Sequence, residues 1–468
     1  MSSQENILNT AQTLTEVTPG ITWLFTVILA LMILALALEE KLHARKSLIV
    51  GLFSIICLIL GTWLGIIPFG EVTLPNGHQI EMPVYIPAVD WGVIAIILGS
   101  SLFVDVTSRS GLFTWIAIRL TRASAGDPLK LLWYYGLMTV VFSAVLNNVT
   151  AMIIVGSLTA VSLDKLQRKQ LLLGFLLTEG LLTNIGGLLT LISSVPNIII
   201  GSAANISFVD FFLKASPFVL VTTLATLYVS SRLFSIRPLS TEQEKQQAAS
   251  LISGFNENDG IESQTFFWFA ATMLFLFIAV IASTSVLPIA RELGMGFVAL
   301  GFAVIMLVRY KSEVDRFYKA IDWDLIGFFM ALFVVISVIE HARVLELIGE
   351  AINLMLGDEE SLLGTGLLLV SSAVASSVTD NIPLAAMLAK ILVANGTVET
   401  SPLWWSVVFG ANLGGNLTPI GSASTLVAVT IIHKHGLKLS FAGFVIKAIP
   451  FALMHIALAA AYVLFFLY

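Results

Sequence analysis

Asp380 and Glu179 are the residues through which this chain could do chemistry, because both carboxyls fall inside apolar sequence. Asp380 stands in Thr379-Asp380-Asn381-Ile382-Pro383, near the middle of an apolar run over 361–396. A charge at such depth costs several kcal/mol on membrane-insertion scales and is functional by default. It could carry a proton or pair with a cation, and it could also N-cap the half-helix that follows. Glu179, in Leu177-Thr178-Glu179-Gly180, lies about one and a half helical turns before Asn184. It is a second proton-carrier candidate; the plainer reading is a helix-lining carboxylate bonded to a Thr or Asn.

Uncharged polar residues gather around these two in four places. The first is a turn at Asn147-Asn148-Val149-Thr150 and the second is the turn holding Thr379, Asp380 and Asn381. The other two are glycine-rich: Asn184-Ile185-Gly186-Gly187 with Thr190, Ser194 and Asn197, and Asn412-Leu413-Gly414-Gly415 with Asn416, Thr418 and Ser422. Glycine permits unwinding and close approach. Freed backbone amides and carbonyls join the Asn, Ser and Thr dipoles as ligands: half-helix N-termini attract anions and unwound carbonyls coordinate Na⁺. Asn147, Asn148, Thr150, Thr379, Asp380, Asn381 and the named Asn, Gly, Thr and Ser residues of both glycine-rich segments are therefore expected to bind substrate or ion, with Na⁺ a candidate at the Asn148 and Asn381 turns. The plainer reading of each small-residue cluster alone is helix packing.

Other polar residues read as structural. Asp105 is a solvated end charge. Asp90 and Asp322 precede Trp at span starts and are interfacial caps. His433 and His435 belong to a solvated loop, and His455 is a lone packed histidine. No metal-ligand spacing, Walker motif, nucleophile elbow or dinucleotide fingerprint occurs, so neither an enzyme nor ATP-driven transport by this chain is expected, and no cofactor beyond a bound Na⁺.

The elements that must position these residues follow from composition. Of 468 residues, 57% are hydrophobic and 12% charged, about half the ~25% charge of a soluble domain. Mean hydropathy is +0.93. No single soluble core could hide that much apolar surface, so the chain is an all-α polytopic membrane protein with about ten transmembrane helices. A net charge of −6 without a basic block argues against nucleic acid. The lone Cys57 forms no internal disulfide.

Basic residues set the topology by the positive-inside bias. Lys41, Arg45 and Lys46, then Arg109 to Lys130, then Lys165, Arg168 and Lys169 mark cytoplasmic segments. Both ends of 131–163 then face the cytoplasm, so that segment is a re-entrant hairpin. Arg309 to Lys319 and Lys434 with Lys438 make 361–396 a second hairpin, entering from outside. Residues 1–20 are an external segment, and 234–263 a polar cytoplasmic linker between a first repeat over 21–233 and a second over 264–468.

The halves match in sequence. Ala88-Val89-Asp90-Trp91 pairs with Ala320-Ile321-Asp322-Trp323, Asn147-Asn148-Val149 with Asp380-Asn381-Ile382, and Asn184-Ile185-Gly186-Gly187 with Asn412-Leu413-Gly414-Gly415. Thr190 then pairs with Thr418. Opposite charge bias makes the repeats inverted, a hallmark of alternating-access secondary transporters.

These hairpin and broken-helix segments resemble the ion transporter superfamily, in particular the citrate-transporter-like group of arsenite permeases, NhaD-type sodium–proton antiporters and the melanosomal P protein. The carrying motifs are Leu146-Asn147-Asn148-Val149-Thr150, Asn184 through Gly201, Thr379-Asp380-Asn381-Ile382-Pro383 and Gly410 through Gly421. The resemblance implies a fold of the dicarboxylate/sodium symporter type and a homodimer. It also implies an elevator-type mechanism in which a domain bearing both hairpins moves against a scaffold, and two Asn-containing turns that bind substrate and coupling ion. Many relatives carry Asp-Asn where this chain has Asn147-Asn148, and an acidic residue where it has Ser194.

The leading expectation is monovalent cation (Na⁺)/H⁺ antiport, with Asp380 and Glu179 alternating between the two ions. The alternative is Na⁺- or H⁺-coupled transport of a small anion, an oxyanion or carboxylate; a membrane receptor or enzyme would need a catalytic constellation that is not seen. The partners expected are thus a small ion or carboxylate and bilayer lipid, in a multi-pass protein of a bacterial inner membrane.

Overall fold

In a bilayer every backbone amide and carbonyl must be bonded internally, so apolar runs of this length fold as helices. The computed structural model describes residues 16–67, 70–73, 77–356 and 361–468. Residues 1–15 of the expected external segment lie outside the described residues.

The chain begins with α1 (Pro19–Ala37), the single-turn α2 (Glu39–Leu42) and α3 (Lys46–Trp63). A short antiparallel hairpin of β1 (Gly70–Thr73) and β2 (Gln79–Met82) follows in a loop. Next come α4 (Trp91–Arg109), α5 (Leu112–Ala123), the pair α6 (Pro128–Val145) and α7 (Asn148–Lys165), the half-helices α8 (Leu172–Gly186) and α9 (Val195–Ala203), and the long α10 (Phe208–Leu233). After α11 (Glu242–Ile252) the pattern returns with α12 (Gln264–Ala282), α13 (Pro288–Arg309), α14 (Val314–Ala320), α15 (Trp323–His341) and α16 (Val344–Leu356). The pair α17 (Leu362–Val378) and α18 (Asn381–Ala394), the half-helices α19 (Pro402–Gly414) and α20 (Ala423–Lys434), and α21 (Phe441–Tyr462) complete it. Among the described residues, nine helices are long and apolar enough to cross a membrane.

The chain divides into two units. The first comprises residues 1–94 and 322–354. In it α15 packs along α3 and α1, and the Ser47 hydroxyl donates to the Asp324 carboxylate. Asp90 and Asp322 do cap their helices: Asp90 Oδ1 accepts from Val93 N at 3.1 Å and Asp322 Oδ1 from Leu325 N at 3.0 Å.

The second unit comprises residues 95–321 and 355–468 and holds all four polar clusters. The repeat is visible in its packing. Helix α6 lies on α8 and α10 on both, as α17 lies on α19 and α21 on both. The second arm of each pair crosses to the other repeat, α7 onto α20 and α18 onto α9. The repeat runs on into the long helices: Ser207, Lys214 and Pro217 recur 233 residues later as Ser440, Lys447 and Pro450, with both serines acting as N-caps.

Both hairpin turns are tight. Leu146 and Asn147 join α6 to α7, and Thr379 and Asp380 join α17 to α18. The expected turn residues Asn148, Val149, Thr150, Asn381, Ile382 and Pro383 belong instead to the first turns of the returning helices. Two glycines set the approach of the half-helices to these pairs. A Cβ on Gly186 would stand 2.6 Å from the Val140 carbonyl oxygen, and one on Gly414 would strike the carbonyl of Ala373, the residue 233 positions after Val140.

The 234–263 segment, read from composition as a polar linker, is folded against the second unit. Thr241 and Glu244 close a capping box at the start of α11, where the backbone amides of Thr241 and Ser240 hold the Glu244 carboxyl below its usual range. Asp127 Oδ2 accepts from Leu239 N at 3.0 Å, and Arg122 pairs with Glu257 at 2.8 Å.

Candidate ion and substrate site

Each hairpin turn is pinned to the half-helix break of its own repeat. In the first, Ser143 Oγ lies 2.6 Å from the Thr183 carbonyl and 2.8 Å from Asn148 Oδ1, and Thr190 Oγ1 donates to the Ala144 carbonyl at 2.5 Å. In the second, Ser376 Oγ donates to the Ala411 carbonyl at 2.5 Å and Thr418 Oγ1 to the Ser377 carbonyl at 2.5 Å. A Cβ on Gly187 would fall on the Asn148 carboxamide, so that glycine is what admits Asn148 to the break.

The two breaks then bond to each other. Ser194 Oγ donates to Asn412 Oδ1 at 2.7 Å, and the counterpart bond, with the serine 228 residues later and the asparagine 228 earlier, runs from Ser422 Oγ to Asn184 Oδ1 at 2.9 Å. Asn184 Oδ1 also accepts from Ser424 Oγ at 3.1 Å and from Asn148 Nδ2 at 3.4 Å. Asn412 Nδ2 donates to Asn197 Oδ1 at 2.9 Å, and Asn197 Nδ2 holds the Gly187 carbonyl at 2.7 Å. Asn184, Asn197, Asn412 and Asn416 are all at most 1% exposed, and their amides are bonded, as buried polar groups must be.

Four helices begin at this cluster. Asn147 Oδ1 caps α7 by accepting from Thr150 N at 2.8 Å, and Asp380 Oδ1 caps α18 by accepting from Ile382 N at 3.0 Å. Ser194 and Ser422 stand at the N-cap positions of α9 and α20 but form no side-chain cap. Their hydroxyls serve the opposite repeat instead, which leaves the leading amides of α20 and, at α9, the Val195 amide without a side-chain acceptor; Pro196 has no N–H and Asn197 N bonds the Ser194 carbonyl at 3.0 Å.

The candidates divide accordingly. Asn148, Asn184, Asn416 and Ser422 are joined by hydrogen bonds, as are Ser194, Asn197 and Asn412, while the Thr190 and Thr418 hydroxyls bond the hairpin carbonyls of Ala144 and Ser377. Gly186, Gly187, Gly414 and Gly415 shape the backbone around them; a Cβ on Gly415 would stand 2.8 Å from the Ser422 Cβ. Thr379 turns back to the Ala375 carbonyl at 2.7 Å. Thr150 contributes its backbone amide to the Asn147 cap. Asn381 is the first residue of α18. Glu179 stands apart, with Oε1 accepting from Thr159 Oγ1 at 2.6 Å and Oε2 without a partner among the described residues.

Sequence reasoning missed Ser143, Ser376, Ser424, Thr226 and His455. The first pair was detectable, because Ser143 and Ser376 are 233 residues apart in the register of the turns. His455 carried no such signal: the residue 233 before it is Thr222. It is buried, as expected, but not merely packed. Asn416 Nδ2 lies 3.2 Å from its Nδ1, and Thr226 Oγ1 lies 2.8 Å from its Nε2. Thr226 gives its own proton to the Thr222 carbonyl at 2.6 Å, so Nε2 is the donor and Nδ1 the acceptor. The imidazole thereby orients Asn416, whose Oδ1 accepts from Asn184 Nδ2 at 2.8 Å.

Comparison with known proteins agrees with this architecture. The profile of the family described as citrate transporter matches residues 69–410. A 46 kDa membrane protein of Mycobacterium leprae is 32% identical over 80% of this chain and 86% of its own. The P protein of Mus musculus is 24% identical over 95% of this chain and 62% of its own. Among solved structures, the YdaH transporter of Alcanivorax borkumensis shares the fold, with a TM-score of 0.59 at 13% identity over 90% of this chain and 98% of that one.

Proposed function

The chain belongs to the citrate transporter family and is thus a membrane transporter rather than an enzyme; from that premise we propose that it carries a small carboxylate anion, coupled to H⁺ or Na⁺, by alternating access of its inverted repeats. The observation that carries this reading is the pair of uncapped half-helix N-termini at α9 and α20. Each helix N-terminus presents about half a positive charge. Four helices, α7, α9, α18 and α20, begin at the two breaks and the turns pinned to them. Together they supply about two positive charges, of which the Asp380 carboxylate capping α18 offsets about one, and the remainder suits an anion and disfavours a bare monovalent cation. Apart from Asp380, the side chains bonded in the cluster are amides, hydroxyls and one imidazole, which orient a ligand without cancelling that field. The citrate named in the family's description is an anion of this kind.

The second reading, Na⁺/H⁺ antiport, rests on Asp380, the carboxylate at the second hairpin turn. The coupling ion of either reading has oxygen ligands on offer at the Asn148 turn, where Asn148 Oδ1 faces Ser143. Labelled citrate uptake into proteoliposomes, with and without imposed H⁺ and Na⁺ gradients, tests the first reading. Gradient-driven accumulation supports it. Absence of accumulation for citrate and succinate alike overturns it. Dissipation of a pH gradient on adding Na⁺ without any anion, abolished by Asp380→Asn, would establish antiport in its place.

A further inference from the structure

We propose that Glu179 is a proton-binding carboxyl of the first repeat alone, approached from the end of the second unit that carries Lys165, Arg168 and Lys169. The role in coupling rests on the transport reading above; the proton site does not.

Buried hydroxyls stand on the helices around this carboxyl. Thr121 Oγ1, Tyr135 Oη and Ser162 Oγ form a buried hydroxyl triad, with 2.8 Å from Tyr135 to each of the other two. Ser162 and Thr159 lie three residues apart on α7, on one face of the helix, and Thr159 Oγ1 donates to Glu179 Oε1. Glu179 is 1% exposed and its second oxygen has no partner among the described residues. It lies seven residues into α8, about 10 Å along the axis, and about 7 Å before Asn184. The carboxyl therefore stands between the basic end and the substrate cluster.

The second repeat supplies the control within the same chain. At the register of the repeat, Tyr135, Thr159 and Glu179 correspond to Leu368, Leu392 and Val407, all at most 1% exposed. The same helix pair and half-helix therefore close with apolar side chains at these places. Packing does not require a carboxyl there, and burying one with an open oxygen opposes folding. An oxygen with a vacant lone pair, set against donors that are neutral hydroxyls, is a place for a proton. Binding converts the carboxylate to a carboxylic acid with its proton on Oε2, and release returns the proton along the same route.

Among the described residues, no fixed charge pairs with Glu179. The titratable side chain facing Glu179 is the Tyr135 hydroxyl of α6. On the elements packed against α8, Lys130, Asp164, Lys165, Asp210, Lys214, Tyr228, Arg232, His433 and Lys434 are exposed, and Tyr134 is half-buried. His455 on α21 is engaged by Thr226 and Asn416.

Infrared difference spectroscopy of the full chain in lipid, titrated with pH, reads this site without any substrate. A neutral-carboxyl carbonyl band should titrate, shift in D₂O, and be lost in Glu179→Gln while persisting in Glu179→Asp. Thr159→Val, which removes the hydroxyl donated to Oε1, should shift the band, and Tyr135→Phe should slow its exchange in D₂O. These two keep the carboxyl, so they decide the matter should Glu179→Gln not fold. A band that survives Glu179→Gln, or one that never exchanges with solvent, overturns the proposal. Citrate uptake is scored separately: a titrating Glu179 band without uptake leaves this site standing while the transport reading falls.

Discussion

Three hydrogen bonds recur in both halves of the second unit at the candidate cluster, and the halves diverge one to two turns away. Ser143 on the Thr183 carbonyl is mirrored by Ser376 on Ala411, Thr190 on Ala144 by Thr418 on Ser377, and Ser194 on Asn412 by Ser422 on Asn184. At Glu179 and Val407 the correspondence stops: one half buries a carboxyl where the other buries a methyl pair. What both halves keep holds the breaks open and together. What one half alone carries is free to serve function, because its counterpart shows that the fold closes without it.

This comparison can be broken most severely by making the halves alike in the wrong direction. Val407→Glu would place a carboxyl where the second repeat has Leu368 and Leu392 in place of Tyr135 and Thr159. Leaving a buried charge unpaired costs about 3–5 kcal/mol, so little folded protein should survive detergent extraction, as read by size-exclusion chromatography. A near-wild-type yield would mean that the second repeat tolerates polarity and that the asymmetry carries no information.

The shared bonds come next in size. Asn412→Leu orphans the Ser194 hydroxyl and Asn197 Oδ1, and Asn184→Leu orphans Asn416 Oδ1 and takes the shared acceptor from Ser422 and Ser424, whose hydroxyls still bond each other at 2.9 Å. Each should cost about 2–4 kcal/mol from unsatisfied buried groups and abolish uptake. Thermal melting in detergent checks the first and labelled uptake the second. If the repeats are equivalent at the cluster, the two variants should fall together; a mild effect from one would show that a single repeat holds the site.

Glu179→Val, which copies the second repeat into the first, is expected to change stability by only about 1 kcal/mol. It removes an unpartnered oxygen and leaves only the Thr159 hydroxyl unmatched. The melting midpoint should stay near wild type while the response of uptake to a pH gradient is lost. The smallest effect is expected at the docked linker. Arg122→Ala breaks an exposed ion pair with Glu257 and should cost below about 1 kcal/mol, with uptake unchanged.

Much of this was legible from residue order. Loop charges and apolar runs placed both hairpins, and recurrence of Asn and Gly at near-constant offset marked both breaks. Extending that offset would also have found Ser143 with Ser376 and Pro217 with Pro450. The turn itself was displaced by up to two residues, because Asn147 and Asp380 act as caps and so leave Asn148 and Asn381 inside the helices. Composition marked 234–263 as a linker but could not show that Leu239 and Glu257 would find Asp127 and Arg122, since such partners are set by where distant segments pack.

Residue order by itself determined the membrane class, the helical elements and the inverted repeat, because these follow from local patterns: apolar length against bilayer thickness, charge bias in loops, and periodic recurrence. Only the tertiary structure decided that Ser194 and Ser422 leave their own helices uncapped to bond across the repeats. Nor could residue order show that His455 orients Asn416, or that Glu179 meets Thr159 with one oxygen unmatched. Those are contacts between residues 20 to 238 positions apart, and a hydrogen bond depends on distance and direction that no local pattern encodes.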